Sequence, residues 1–232
     1  MQKCTRRQPH RRIPLPSESN SPKVLLLVGA AHGIGRAMAL EAAARGLRLA
    51  ACDIDSAALE TLRPEVGADA LLQVADVTRL DALQAFVDAT LARFGRIDAV
   101  ICNAGGMMSL VHDGKVQANI RGFQDIPSSD WSSIVDLNLY GPLNVAHAVL
   151  PTLLSQGDGR LVFVSSVSGL VGGAGLSVYA AAKGGVIAFA KSLARESSAA
   201  GVSVNVVAPG AVATRAFPAG SASIEKRLRN VA

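Results

Sequence analysis

Val28-Gly29-Ala30-Ala31-His32-Gly33-Ile34-Gly35 follows directly on the apolar run Val24-Leu25-Leu26-Leu27. Glycine costs backbone entropy and has no side chain to pack. Three of them in seven residues, at the end of a buried run, imply a place where the backbone has to be bare. The run, the turn and the periodic segment 34–45 that follows read as strand, turn and helix. The unpaired N–H groups of the first helical turn, aided by the helix dipole, make a seat for a pyrophosphate, and a missing Cβ lets phosphate and backbone approach. Glycine turns between strand and helix also occur without a ligand. The spacing here is G-x-x-x-G-x-G rather than G-x-G-x-x-G, so the remainder of the chain has to decide.

Downstream the same alternation continues. Strands are expected at 24–28, 47–52, 70–75, 97–102, 160–165 and 202–207, and helices at 34–45, 56–62, 80–94, 131–156 and 178–197. The second helix should close near Pro64, and the long one should break near Gly141-Pro142. Residues 103–129 read as polar and irregular. Several strands are continuously apolar, as in a parallel sheet covered on both faces. Alternating β and α units with short links imply right-handed crossovers and an α/β, Rossmann-like doubly wound parallel sheet. Ligands of such sheets bind beyond the carboxyl ends of the strands, here just after Val28, Cys52, Ala75, Cys102, Ser165 and Val207.

Composition narrows the class further. The chain has 232 residues, half of them apolar, which suits one domain with a substantial core over 23–232. Its formal charge of +5 is confined to the start, because residues 1–23 hold six basic residues against Glu18 and the rest balances. A basic face for nucleic acid is therefore not expected. The segment 1–22 reads as a disordered basic tail, open to being a leader, a targeting element or an anion-binding arm. Cys4, Cys52 and Cys102 have no zinc or disulfide spacing, and no metal site is expected. Cys52 and Cys102 end apolar runs and read as small buried residues in a reducing, cytoplasmic setting. No apolar stretch reaches the ~18 residues of a membrane span.

The strand ends carry the candidate chemistry. Asp53 follows the second strand, where a carboxylate accepts hydrogen bonds from both adenosine ribose hydroxyls and repels a 2′-phosphate, favouring NAD over NADP. Capping of the next helix is the plainer reading, and it suits Asp55 better. Asp76-Val77 ends the third strand, within reach of an adenine amino group. Asn103-Ala104-Gly105 ends the fourth, with small residues where a flat cofactor could pass. Tyr179 and Lys183 lie four apart on one helix face. An ammonium beside a phenol stabilises the phenolate and lowers its pKa from the usual ~10, which makes Tyr179 a general acid/base candidate. Such pairs are also common on ordinary helices. Ser166, 13 residues before Tyr179 at a strand end, is placed to hold a substrate carbonyl beside the phenol.

Taken together these residues resemble the short-chain dehydrogenase/reductase family. The matching elements are Gly29-x-x-x-Gly33-Ile34-Gly35, Asp53, Asp76, Asn103-Ala104-Gly105, Asn138, Ser165-Ser166, Tyr179-x-x-x-Lys183 and Pro209-Gly210, in the family's order from about residue 23 to 214. The resemblance implies that the glycine turn holds the pyrophosphate, and that Lys183 binds the nicotinamide ribose and assists Tyr179. Tyr179 would exchange a proton with the substrate oxygen while hydride moves at nicotinamide C4. Ser166 would orient that oxygen, and Asn138 would help hold a relay water. Cofactor contacts would come from Pro209, Gly210, Val212 and Thr214, with Thr214 near the carboxamide.

Departures from the family pattern are local. Val28 stands where Thr is frequent, and Cys102 where a second Asn is frequent. The stretch 109–123, with His112, Asp113 and Lys115, is longer than usual and should shape a pocket rim or an oligomer contact. Only 22 residues follow Gly210, with 224–231 suited to a covering helix, so six strands are expected with the family's seventh absent. The sheet would then end on an exposed edge. A homodimer through the long helices is expected, a tetramer less so. The expected activity is NAD-dependent hydride transfer between nicotinamide and a secondary alcohol or ketone, apolar in part because residues 168–176 are small or apolar. Two alternatives stand beside it: an NADPH-dependent 3-oxoacyl reductase, against which Asp53 argues, and an inactive dinucleotide-binding protein.

Overall fold

The computed structural model describes residues 22–106, 111–112, 115–116, 122–212 and 214. The glycine turn does separate a strand from a helix. β1 (Val24–Val28) is followed by α1 (Gly33–Ala44), β2 (Arg48–Asp53), α2 (Ser56–Val66), β3 (Leu71–Val74), α3 (Leu80–Phe94) and β4 (Ala99–Cys102). A small antiparallel pair, β5 (Val111–His112) and β6 (Lys115–Val116), lies in the stretch expected to be irregular. The chain continues through α4 (Ser129–Val135), α5 (Gly141–Gln156), β7 (Gly159–Val164), the short α6 (Ser168–Val171), α7 (Ser177–Ser197) and β8 (Val202–Val207). Six strands form one parallel sheet in the order β3-β2-β1-β4-β7-β8. This is the doubly wound order whose direction reverses between β1 and β4, and the crevice there is the general ligand site of such sheets.

β1 shows why its run reads as continuously apolar. Leu26 and Val28 pack with α3, α5 and α7 on one face, and Leu25 and Leu27 pack with α1 and α2 on the other. All five β1 residues are buried. Cys52 and Cys102 are buried free thiols, as expected from their positions at strand ends. The near ends of β1 and β4 are joined by Asp98, which accepts from the Val24 N–H at 2.8 Å and from Lys23 and Arg96.

Two helices differ from the periodicity reading. α2 runs past Pro64 to Val66, because a proline in the last turn removes a single helical bond and Gly67 N–H closes the end on the Arg63 carbonyl. The expected break near Gly141-Pro142 is not a break. Residues Asp136–Tyr140 form a π-turn between α4 and α5, and Gly141 N–H bonds to the Asp136 carbonyl. Pro142 has no N–H for the Asn138 carbonyl and its ring displaces that carbonyl, so the wider i→i−5 turn absorbs the mismatch. The segments 1–21 and 215–232, most of 109–123, and the helix expected at 224–231 lie outside the described residues. No helix among the described residues is long and apolar enough to cross a membrane.

Candidate active site

Gly29 leaves β1 with φ of +83°, and a Cβ there would stand 2.5 Å from the Ala104 nitrogen. Gly35 sits against the Gly29 carbonyl and the Asn103 side chain, where a Cβ would collide with both. These two glycines are therefore demanded by the protein's own backbone packing. At Gly33, φ is +50° and a Cβ would meet the Thr214 side chain, its methyl at 3.1 Å, and no other group among the described residues. Gly33 is thus the member of the motif not closed in by the protein's own backbone, and it lies opposite Thr214 from the loop after β8. The residues present fit a dinucleotide phosphate: a glycine-bearing turn whose backbone is bare at Gly33, at a helix N-terminus, at the strand-order reversal.

The surrounding polar groups hold that turn still. Asn103 Nδ2 donates to the Gly29 carbonyl at 2.7 Å, and the N–H groups of Asn103 and Ala104 both donate to Val28 O. Asn103 therefore acts through the turn it braces. Asp53 Oδ2 accepts from Ala31 N–H at 2.8 Å and Oδ1 from Asp55 N–H at 3.1 Å, so its carboxylate is aimed at the turn. Asp55 caps α2 through Ala58 N–H, as expected. The Asp76 carboxylate closes its own turn on Thr78. The Val77 side chain is buried against Gly141 beneath α5, which leaves its backbone as the part near a cofactor path. Ala104 is half-buried, and Pro209, Gly210 and Val212 follow β8 toward Thr214.

At the other end of the crevice, α7 carries Tyr179 and Lys183. Lys183 is 3% exposed, its Nζ donates to the Val164 carbonyl at 3.1 Å, and it stands 5.8 Å from the centre of the Tyr179 ring. Burial brings the Lys183 pKa down to about 8, and the neighbouring Cys102 opposes the shift. Burial likewise pushes the Cys102 thiol up to about 12. A Cβ on Gly105 would lie 2.8 Å from Lys183 Nζ and 3.0 Å from Asn138 Oδ1, so both groups face one point at the end of β4. Asn138 is fully buried on the π-turn. It donates to the Ile134 and Gly106 carbonyls and accepts from Gly106 N–H, so its amide clamps the loop after β4.

Ser166 Oγ accepts from Ser168 N–H at 3.1 Å. Three features here were not legible beforehand. Ser165 Oγ donates to the Lys183 backbone carbonyl at 2.8 Å, tying α7 to the end of β7. Gly169 lies so close to the backbone of Lys183 and Gly184 that a Cβ would sit 2.7 Å from it. His32 pairs with Asp55 across the cofactor end. Ser165 and Gly169 carried weak signals, a polar residue ending an apolar strand and an isolated glycine, whereas nothing local marks the partner of His32. Among the described residues no cluster of three or more metal-ligating side chains occurs.

A doubly wound sheet with a phosphate turn at one end of its crevice and a phenol–ammonium pair at the other defines a dinucleotide-dependent oxidoreductase. The short chain dehydrogenase family model matches residues 23–223. The chain is 36% identical to a 3-oxoacyl-[acyl-carrier-protein] reductase of Synechocystis over 83% of this chain and 75% of that protein. It is 33% identical to levodione reductase of Leifsonia aquatica over 86% and 73% respectively. The crystal structure of a 3-ketoacyl-(acyl-carrier-protein) reductase from Brucella melitensis complexed with NADH superposes with a TM-score of 0.76 at 28% identity, covering 84% of this chain and 78% of that one. This protein belongs to the short-chain dehydrogenase/reductase family. It is an enzyme of ketone and alcohol oxidoreduction that uses a nicotinamide cofactor.

Proposed function

We propose that the enzyme is an NAD-dependent oxidoreductase for a secondary alcohol or ketone, with Tyr179 as its acid/base. The observation that carries this reading is the buried Lys183 ammonium beside the Tyr179 ring at the carboxyl ends of the strands. A bound nicotinamide dinucleotide supplies or accepts the hydride. Tyr179 gives the proton to the forming alkoxide, or takes it in the reverse direction. The Lys183 charge stabilises the negative charge that develops on the phenol oxygen during that transfer. Ser166 orients the substrate oxygen. Asn138 works through the Gly106 backbone it clamps, fixing the loop after β4 beside Lys183. The Gly29, Gly33, Ile34 and Gly35 turn seats the pyrophosphate and Asp53 the adenosine ribose, with Asp76, Val77, Ala104, Pro209, Gly210, Val212 and Thr214 along the cofactor path.

The preference for NAD rests on Asp53, whose carboxylate is fixed at the end of β2 where a 2′-phosphate would add like charge. A second reading, a 3-oxoacyl reductase using NADPH, is favoured by the names of several relatives. A homodimer through α5 and α7 and a cytoplasmic location complete the proposal, and light scattering on the purified chain checks the first. The deciding experiment follows nicotinamide absorbance with NADH and with NADPH over cyclic diketones, 3-oxoacyl thioesters and polyols. Tyr179→Phe should lower turnover by about 10³-fold and leave NADH binding intact. Undiminished turnover in that variant refutes the assignment of Tyr179.

A further inference from the structure

We propose that the His32–Asp55 pair is a specificity device for the cofactor: Asp55 sequesters the imidazole of the glycine turn and so denies it to a 2′-phosphate as a hydrogen-bond partner. This rests on the NAD reading above. The two residues come from different elements, His32 capping α1 and Asp55 capping α2, and His32 Nε2 lies 2.7 Å from Asp55 Oδ2. They flank Asp53 on both sides of the same junction. Ala31, next to His32, donates its N–H to Asp53 Oδ2, and Asp55 donates its own N–H to Asp53 Oδ1. The imidazole and both carboxylates thus form one bonded group between the glycine turn and the end of β2. Each partner of the pair is about one-third exposed, so a ligand entering that junction meets both.

A dianionic 2′-phosphate is held by charge-assisted hydrogen bonds from cationic side chains. In this junction His32 offers an imidazole to such an anion, and its Nε2 is committed to a carboxylate. Arg36, one turn further along α1, is bonded to Thr61 and Glu65 of α2. The 2′-phosphate would therefore face two carboxylates with the adjacent imidazole already engaged, whereas ribose hydroxyls need only the acceptors that Asp53 offers. Asp55 is a positioning residue in this scheme, acting on the cofactor through His32.

The test titrates NADH and NADPH into the full chain, read by nicotinamide fluorescence, for the unmodified protein, Asp55→Ser and Asp55→Ser with His32→Gln. Serine keeps the cap on α2 but carries no charge and is too short to hold the imidazole. Asp55→Ser should tighten NADPH about tenfold and leave NADH within about twofold. The double variant should lose that gain. The proposal is overturned if Asp55→Ser shifts both dinucleotides alike, or if the gain in NADPH survives the loss of His32. Equal binding of the two dinucleotides by the unmodified chain overturns the NAD reading and the pair's role with it. A preference for NADH that Asp55→Ser leaves unmoved overturns the pair alone.

Discussion

The two halves of the sheet are built differently. On β1, residues facing either way are buried, since α1 and α2 cover one face and α3 and α5 reach the other. On β8, Val202 and Val204 point into the core with α7, while Ser203 and Asn205 on the opposite face are exposed and Val207 is 53% exposed. The cofactor half is thus clamped between two layers. Among the described residues, β8 is held from one side, through α7. The precision of the reactive half comes from close backbone approaches instead: Gly169 against Lys183 and Gly184, and the Ser165 hydroxyl on the Lys183 carbonyl. A wide, two-sided core suits a seat that must not deform. A reactive pair on one long helix needs only that helix to be fixed.

This contrast can be tested by substitution. The largest effect should come from Leu27→Ala, a fully buried β1 residue, at about 3 kcal/mol of unfolding free energy in denaturant titration. A cost below about 1 kcal/mol would contradict the two-sided clamp. Next comes Lys183→Met, which should abolish most turnover yet stabilise the cofactor-free protein by roughly 2 kcal/mol at neutral pH. That gain is the penalty for burying the ammonium, less the loss of its bond to Val164. The sign with pH follows from the lowered pKa. Between about 8 and the ordinary 10.5 the unfolded chain binds the proton and the folded one does not, so wild-type stability rises with pH across that window. In Lys183→Met that component of the rise should be missing. Wild-type and variant curves that run parallel there would show that Lys183 keeps its ordinary pKa in the folded protein, as a solvated ammonium does.

Smaller effects separate the motif from its surroundings. Gly33→Ala, at φ of +50°, should cost about 1 kcal/mol in stability and weaken NADH binding about tenfold, read by fluorescence titration. Retained affinity would mean that the turn's bare face is not the phosphate seat. Val207→Thr on the exposed face should move the unfolding midpoint by no more than about 0.5 kcal/mol equivalent. A loss comparable to that of Leu27→Ala would mean that the outer face of β8 is covered in solution.

Most of the fold was legible because its determinants are local. The strands 24–28 and 202–207 and the α3 helix 80–94 come out with the bounds that periodicity assigns, and the ends of other elements move by a residue or two, except α2, which runs four residues further. The alternation Val-Ser-Val-Asn-Val in β8, against Val-Leu-Leu-Leu-Val in β1, already carries the difference in coverage. The π-turn at Asn138 was not legible as such. Pro142 marks a disturbance of the helix, but kink, break and π-turn share that local signal, and the Gly106 backbone that Asn138 clamps comes from 32 residues away.

By itself the chain determined the order of strands and helices, the place of the glycine turn and the Tyr179–Lys183 spacing, since backbone periodicity, steric freedom and helical pitch are properties of neighbours in sequence. Only the tertiary structure decided which glycines the backbone itself demands, that Lys183 loses its water, that Asn103 and Asn138 brace backbone, and that Asp55 takes His32 as its partner. Those outcomes depend on desolvation and on hydrogen bonds between segments 20 or more residues apart, and neither is written in any local stretch of residues.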